Sequence, residues 1–210
     1  MELITEAHKR TMDAGTARLS HGRRQGAPDG PVAGREEAGY VDFGHLRVWS
    51  HRPATDIDDV KAGDVYWEVG SHYWRPTASE PYVQVPLMRH DGTSIVWGSP
   101  LWMLSALCGV TRSEGVAEEL VRGTRTQRYA LTINVARAQS RGDVPLSLPA
   151  LDAAEFGAHA WLDGDGVVRR VSGAWPTRSS RIVGGRRQTW VQTEFWDFGV
   201  PVNGLDRPST

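Results

Sequence analysis

Short segments in which apolar and polar residues alternate, separated by turn signals, dominate the chain from Tyr40 onward. Alternation with a period of two places successive side chains on opposite faces of a β-strand. The first such segments are rich in aromatic and β-branched residues, which favour strands, and they lie at 40–49, 64–69, 72–75 and 82–85. Because these segments are short and closely spaced, they predict consecutive antiparallel strands.

The second half of the chain continues this pattern. Further strands are predicted at 126–135, 158–163, 166–172 and 188–196, with a short edge segment at 199–202. Two tight turns are predicted: Gly70 and Ser71 form a two-residue hairpin loop, with Gly70 in the first position of a type II′ turn, and 163–166 (Asp-Gly-Asp-Gly) forms another. The sequence therefore predicts one continuous antiparallel sheet.

Few helices accompany these strands. An amphipathic helix is predicted near the N-terminus at 2–14, and a helix that is apolar on all sides at 101–108, after Ser99 as N-cap residue and Pro100 at the first helical position. A third short helix is expected at 148–156. We expect a single α+β domain over 1–210, with a flexible loop at 22–37 and a polar C-terminal tail at 203–210.

The chain lacks the residues that several classes of function require. A net charge of −1 removes the positive field on which nucleic-acid binding depends, so no nucleic-acid partner is expected. The single cysteine, Cys108, excludes an internal disulfide and a cysteine-based zinc site, and its apolar surroundings predict a small buried residue. The histidines show no metal-binding spacing, and no nucleotide loop or serine nucleophile motif is present. We therefore predict no catalytic residue, metal or cofactor, and a protein that is not an enzyme.

The nine tryptophans are spread over nearly every predicted strand and the apolar helix. Each supplies a large apolar surface with an indole N–H that requires a partner. One interpretation is that they fill the core; the other is that some of them line an apolar cavity or an exposed patch that receives a hydrophobic ligand. No run of about 18 apolar residues exists, so no transmembrane segment is expected.

The order of these segments resembles that of the actinobacterial lipoprotein group related to LolA, LppX and LprG, the lipoprotein-localisation-factor-like superfamily. Nearly the whole chain takes part in the resemblance. Its residues are the N-terminal helix and the motifs at 39–43, 46–48, 64–67, 73–76, 82–85, 100–104, 109–110, 123–129, 161–171 and 195–202. The resemblance implies a strongly curved antiparallel half-barrel with a few helices against its concave face.

The resemblance also implies a function, since members of this superfamily carry lipids or lipoproteins by sequestering acyl chains. We expect a non-enzymatic binding or carrier protein that holds an acyl or lipid-like ligand between the curved sheet and the helices. The expected ligand-binding residues, chosen from the pattern, are Leu101, Trp102, Leu104, Tyr129, Leu131 and Ile133. The alternative is a protein–protein interaction module with a filled core and no ligand, docking a protein partner through the sheet edge or the Arg-rich loop.

The compartment follows from the N-terminus. Relatives begin with a signal peptide and a lipid-modified cysteine ahead of the first helix, whereas this sequence begins at the helix and its cysteine lies far inside. As written, the sequence predicts a cytoplasmic protein. If further residues precede Met1, the expected compartment is the cell envelope.

Overall fold

The computed structural model describes residues 2–26, 32–54, 62–85, 99–144, 154–178, 186–202 and 208; at 25–26, 32–35, 175–178 and 186–188 it describes the backbone alone. The described residues form three α-helices, one 3₁₀ helix and an 11-stranded sheet. The helices are α1 (Glu2–Asp13), α2 (Trp102–Ala106), the 3₁₀ helix (Leu107–Gly109) and α3 (Val135–Arg141). The strands are β1 (Thr16–Gly26), β2 (Val32–Asp42), β3 (Arg47–Arg52), β4 (Gly63–Glu68), β5 (Ser71–Arg75), β6 (Val83–Gln84), β7 (Val110–Val121), β8 (Thr124–Asn134), β9 (Glu155–Leu162), β10 (Val168–Arg178) and β11 (Arg186–Trp196).

The sheet consists of two meanders that join in its centre. The strand order is β6-β5-β4-β3-β2-β1-β11-β10-β9-β8-β7, and every neighbouring pair is antiparallel. β1 pairs with β11 from Arg18 opposite Trp196 to Gly26 opposite Gln188, so the first and last strands join the two meanders in the centre of the sheet. The sheet is open, with β6 and β7 at its two edges, and this confirms the predicted half-barrel.

The helices pack on the concave face, which carries the apolar side of each strand. Thr193 on β11 donates a hydrogen bond to the Pro100 carbonyl just before α2, and the Val168 amide on β10 donates to the Thr11 hydroxyl on α1. Leu19, Val171 and Phe195 alternate with polar residues along β1, β10 and β11 and enter one core with the helices. We call the opposite side of the sheet the outer face.

Most predicted elements are confirmed. The N-terminal helix, the apolar helix before Gly109 and the half-buried strand at 126–135 correspond to α1, α2 with the 3₁₀ helix, and β8. The turn at 163–166 joins β9 to β10, and the Asp163 carboxylate accepts hydrogen bonds from the amides of Asp165 and Val167. The hairpin after β4 is also present, but its loop is Val69 and Gly70, one residue earlier than predicted, because Ser71 pairs with Glu68.

Three predictions of local structure need correction. Most of the predicted loop 22–37 is strand, because 22–26 belong to β1 and 32–37 to β2, which pair along their full length; 27–31 lie outside the described residues. Of the helix predicted at 148–156, residues 155–156 begin β9, and 148–153 lie outside the described residues. Strand β7 and helix α3 were not predicted. Residues 203–207 and 209–210 of the predicted tail also lie outside the description.

Candidate functional site

The structure brings the predicted ligand-binding residues together on the concave face. The N-cap residue of α2, two residues of the helix and two residues of β8 belong to one buried apolar core, and a half-buried tyrosine packs against it. We call this set the α2 layer, which comprises Leu101, Trp102, Leu104, Leu131 and Ile133, with Tyr129 packed on it. The role of these residues in ligand binding stays a prediction.

Close approaches at two glycines hold α2, the 3₁₀ helix and α3 together as one unit. A Cβ atom on Gly109 would lie 2.5 Å from the Cβ of Ala138 on α3, and one on Gly142 would lie 2.4 Å from the Ser105 hydroxyl on α2. Ser105 donates a hydrogen bond to the Val144 carbonyl at 3.2 Å and accepts one from the Val144 amide at 3.0 Å. The segment after α3 is therefore tied to α2 by polar contacts as well as by packing.

The contact of this helical unit with the sheet is mostly apolar. Met103 on α2 packs over Gly173 on β10, where a Cβ atom would lie 3.0 Å from the Met103 methyl group. Trp102 faces Phe156 on β9, with ring centroids 6.5 Å apart. Polar attachment comes from the Thr193 hydroxyl, which donates to the Pro100 carbonyl at 3.2 Å.

A cavity of about 1010 Å³ opens on the outer face, across β2, β1, β11, β10, β9 and β8. Glycine, alanine and serine make up much of its lining, and a Cβ atom on Gly157 would meet no other atom within 4 Å, so missing side-chain volume creates the hollow. We call it the outer trough, and it is lined by Ser20, Gly22, Arg24, Glu36, Ala130, Leu131, Gly157, Ala158, His159, Ser172, Gly173, Ala174, Trp190, Val191 and Gln192. Of the predicted ligand-binding residues, Leu131 alone belongs to this lining.

Polar groups surround the floor of the outer trough. The Ser20 hydroxyl donates to the Glu36 carboxylate at 2.7 Å, while Arg24 and Glu36 are exposed. Burial lowers the pKa of His159 below its ordinary value, and the positive charge of Arg128 lowers this pKa further, against the opposing effect of Glu119. His159 is therefore neutral at pH 7. The outer trough is therefore lined by positively charged, negatively charged and apolar residues.

A network of ion pairs continues from the trough along the outer face. The Glu194 carboxylate accepts hydrogen bonds from Arg122 Nε at 2.8 Å and from Arg170 Nε at 2.9 Å. The Arg122 guanidinium also lies over the Trp196 ring, 3.7 Å from its centroid. Trp161 donates from its indole N–H to Glu119 at 2.8 Å. Here tryptophans fill strand faces and hold charged partners, in agreement with the packing interpretation.

The concave face also contains a buried ion pair that the sequence did not predict. The Glu37 carboxylate on β2 accepts from Arg52 Nε at 2.8 Å and from the Ser50 hydroxyl at 3.0 Å, and all three residues are buried. Glu37 falls in the segment that was predicted as a loop, so no sequence pattern indicated that its side chain points into the core. A strand assignment for 32–42 would have placed Glu37 on the same face as Val41.

Cys108 is not simply a small buried apolar residue. It lies in the 3₁₀ helix with intermediate exposure, and its Sγ atom is 3.7 Å from Nδ1 of His8 on α1. His8 Nε2 in turn lies 3.4 Å from Oδ2 of Asp143, which follows α3. No sequence pattern indicates this cluster, because His8, Cys108 and Asp143 lie far apart in the chain and share no motif.

Comparison with known proteins supports the fold. No family model matches the chain, and no curated protein does so. Among solved structures, LprF from Mycobacterium bovis has a TM-score of 0.62 at 12% sequence identity, over 100% of this chain and 96% of LprF. The lipoprotein LppX from Mycobacterium tuberculosis has a TM-score of 0.55 at 15% identity, over 96% of this chain and 97% of LppX. The chain therefore has the fold of these mycobacterial lipoproteins, as the resemblance implied.

Proposed function

We propose that this protein is a non-enzymatic carrier that holds an acyl or lipid-like ligand between the curved sheet and its helices, in the α2 layer. The observation that carries this proposal is the composition of that layer: α2 is buried along its whole length, it packs against β9, β10 and β11, and it shares one apolar core with β8. The resemblance to lipid-carrying proteins supports the same function. Among the described residues, no helix is long and apolar enough to cross a membrane.

The lining of the two faces favours the α2 layer over the outer trough as the site for an acyl chain. An acyl chain in the trough would lie against Arg24, Glu36 and Gln192, and burial of such polar groups under hydrocarbon is costly. In the α2 layer the chain would contact leucine, isoleucine and aromatic side chains. Each methylene transferred there from water contributes about 0.8 kcal/mol.

Entry of a ligand requires the helical unit to separate from the sheet, and the contacts define where this can happen. Hydrogen bonds between Ser105 and Val144 and the close approach at Gly109 keep α2 and α3 together. The contact between α2 and the sheet rests on apolar packing and on the Thr193 hydrogen bond to Pro100. An acyl chain that enters between Met103 and Gly173 would break apolar contacts between α2 and the sheet and form apolar contacts with both. The new contacts would therefore offset most of the free-energy cost of separating α2 from the sheet.

Two measurements on the purified full chain test the proposal. Organic extraction followed by mass spectrometry is expected to yield stoichiometric lipid, and the fluorescent fatty acid cis-parinaric acid is expected to bind after delipidation and to quench the tryptophan emission. If neither measurement detects a ligand, the carrier function is wrong, and an interaction module with a filled core remains.

A pair of variants locates the ligand. Leu104→Trp enlarges a side chain within the α2 layer and is expected to weaken cis-parinaric acid binding at least tenfold, with a loss of about 1–3 kcal/mol of stability. Gly157→Leu fills the outer trough instead, where a Cβ atom meets nothing within 4 Å, and is expected to leave binding unchanged. If Gly157→Leu weakens binding and Leu104→Trp does not, the α2 layer is the wrong site.

A further inference from the structure

Three reactive side chains from three separate segments meet beside the 3₁₀ helix. Cys108 lies within that helix, His8 comes from the middle of α1, and Asp143 follows α3. The Cys108 Sγ atom is 3.7 Å from His8 Nδ1, and His8 Nε2 is 3.4 Å from Asp143 Oδ2. The thiol, the imidazole and the carboxylate therefore form a row in which each ring nitrogen faces a different partner. We call these residues the thiol cluster.

Exposure differs along the row in a way that suits a reacting thiol. His8 is 7% exposed, so its ring is held in place by packing, whereas Cys108 has intermediate exposure and can be reached from solvent. The Asp143 side chain is about half exposed, at 49%. The described residues contain no group of three or more histidine, cysteine, aspartate or glutamate side chains that could hold a metal ion, so the row is not explained by metal binding.

The surroundings keep both members of the thiol–imidazole pair neutral at pH 7. Burial lowers the pKa of His8, and the charge of Asp143 only partly opposes this effect. Burial raises the pKa of Cys108, Asp143 raises it further, and Arg141 at the end of α3 opposes both. The thiol therefore keeps its proton, and the neutral imidazole has a lone pair available to receive it. With the lone pair on Nδ1, the ring proton is on Nε2, 3.4 Å from Asp143 Oδ2. The two groups form no hydrogen bond, so Asp143 acts on the ring through its charge.

We propose that Cys108 is a site of covalent acylation, at which the thiol accepts an acyl group from an ester or thioester, His8 acts as general base and Asp143 is a positioning residue. The Cys108 Sγ atom attacks the carbonyl carbon while its proton moves to His8 Nδ1. The new S–C bond forms, the bond from that carbon to the leaving oxygen or sulfur breaks, and His8 returns the proton to the leaving group. The products are S-acyl Cys108 and a free alcohol or thiol.

The protonation state selects this class of electrophile. Attack on a carbonyl permits proton transfer during bond formation, so a neutral thiol with an adjacent base can react. Alkylation and disulfide exchange require a thiolate formed beforehand, which the raised pKa of Cys108 disfavours. The adjoining Leu107 and Val110 belong to the apolar core, so an acyl tail meets apolar chain next to the thiol.

The test uses the full chain and an activated ester, p-nitrophenyl hexanoate. Intact-mass spectrometry is expected to show one hexanoyl group per chain, peptide mapping to place it on Cys108, and nitrophenolate release to give the rate. Cys108→Ala is the control for other acceptors, including the exposed Lys9. His8→Gln is expected to slow acylation about 100-fold or more, within the range of general-base contributions. Asp143→Asn, at a half-exposed position that the fold tolerates, is expected to slow it to a smaller extent.

The pH profile separates a general base from a merely structural contact. With His8 as base, the acylation rate rises through the lowered pKa of His8, below pH 6.5, and reaches a plateau near neutral pH. The profile of His8→Gln is expected to lose this limb, and that of Asp143→Asn to keep it at a lower pH, because the charge of Asp143 raises the pKa of His8. Alkylation by iodoacetamide should instead rise only at alkaline pH in all three proteins. Equal acylation rates in the wild type and in folded His8→Gln or Asp143→Asn, or acylation elsewhere than Cys108, would overturn the proposal. The outcome of this test does not depend on whether the protein carries a lipid.

Discussion

The packing of the 3₁₀ helix against α3 leads to a quantitative prediction for Gly109→Ala. The added Cβ atom would lie 2.5 Å from Ala138 Cβ and 2.6 Å from the Asn134 carbonyl oxygen. Since non-bonded carbon atoms prefer separations of about 3.5–4.0 Å, the two helices must move apart by about 1 Å. Ala138 and the Asn134 carbonyl are short groups fixed by the backbone of α3, so neither can rotate away. Overpacking of this kind costs about 1–3 kcal/mol.

Thermal unfolding followed by tryptophan fluorescence measures this cost. For a chain of this size each kcal/mol lowers Tm by about 2–4 °C, so Gly109→Ala is expected to lower Tm by about 2–12 °C. Gly157→Ala is the control, because it also replaces a glycine without left-handed backbone, but at an exposed position of β9 where the Cβ atom meets nothing within 4 Å. Its Tm should stay unchanged or rise, since alanine loses about 0.5–1 kcal/mol less backbone entropy on folding. A Gly109→Ala protein as stable as this control would show that the helical unit is not packed as described.

Three further outcomes are expected. Because burial lowers the pKa of His8 below 6.5, the unfolded chain binds its proton more readily, so stability falls as pH decreases below about 6.5; urea midpoints of His8→Gln at pH 7 and pH 5 should differ less than those of the wild type. Glu194→Ala removes the acceptor shared by Arg122 and Arg170 and is expected to cost about 1.5–3 kcal/mol by urea unfolding, whereas an unchanged midpoint would make the network energetically irrelevant. Gly39→Ala places a Cβ atom against the Trp49 carbonyl on β3 and should yield little soluble protein, in contrast to Gly157→Ala.

The sequence predicted those elements whose residue pattern matches their burial. β8 alternates between core and surface, and α2 lacks polar side chains apart from Ser105, so both have a clear pattern. β7 is an edge strand with register shifts, and its apolar residues Val116 and Leu120 are exposed. Because no face of β7 is consistently buried, hydrophobic periodicity carries no information about it. Pairing with β8 forms the strand instead.

The segment 22–37 was predicted as a loop from its composition, although most of it forms strand. Gly, Arg and Glu dominate 22–26 and 32–37, and such residues are poor strand formers in isolation. Here β1 lies between β2 and β11 in the centre of the sheet, so hydrogen bonds on both sides determine its conformation. The charged residues of β2 find partners within the fold: Glu36 accepts from Ser20, and Glu37 from Arg52. Tertiary pairing thus outweighs local preference.

The position of the α2 layer was predictable, but its capacity for a ligand was not. Alternation along β8 identifies Leu131 and Ile133 as inward residues, and apolar side chains of the helices must join them in one core, whatever the protein binds. A filled core and a ligand-lined layer require the same residue types on the same face, so the pattern cannot distinguish them. The carrier proposal depends instead on how α2 is attached to its neighbours. Its Ser105 hydroxyl is hydrogen-bonded to both backbone groups of Val144, and its contact with β9 and β10 includes the apolar side chains of Trp102 and Met103. The comparison of Leu104→Trp with Gly157→Leu therefore tests a property of packing that composition does not encode.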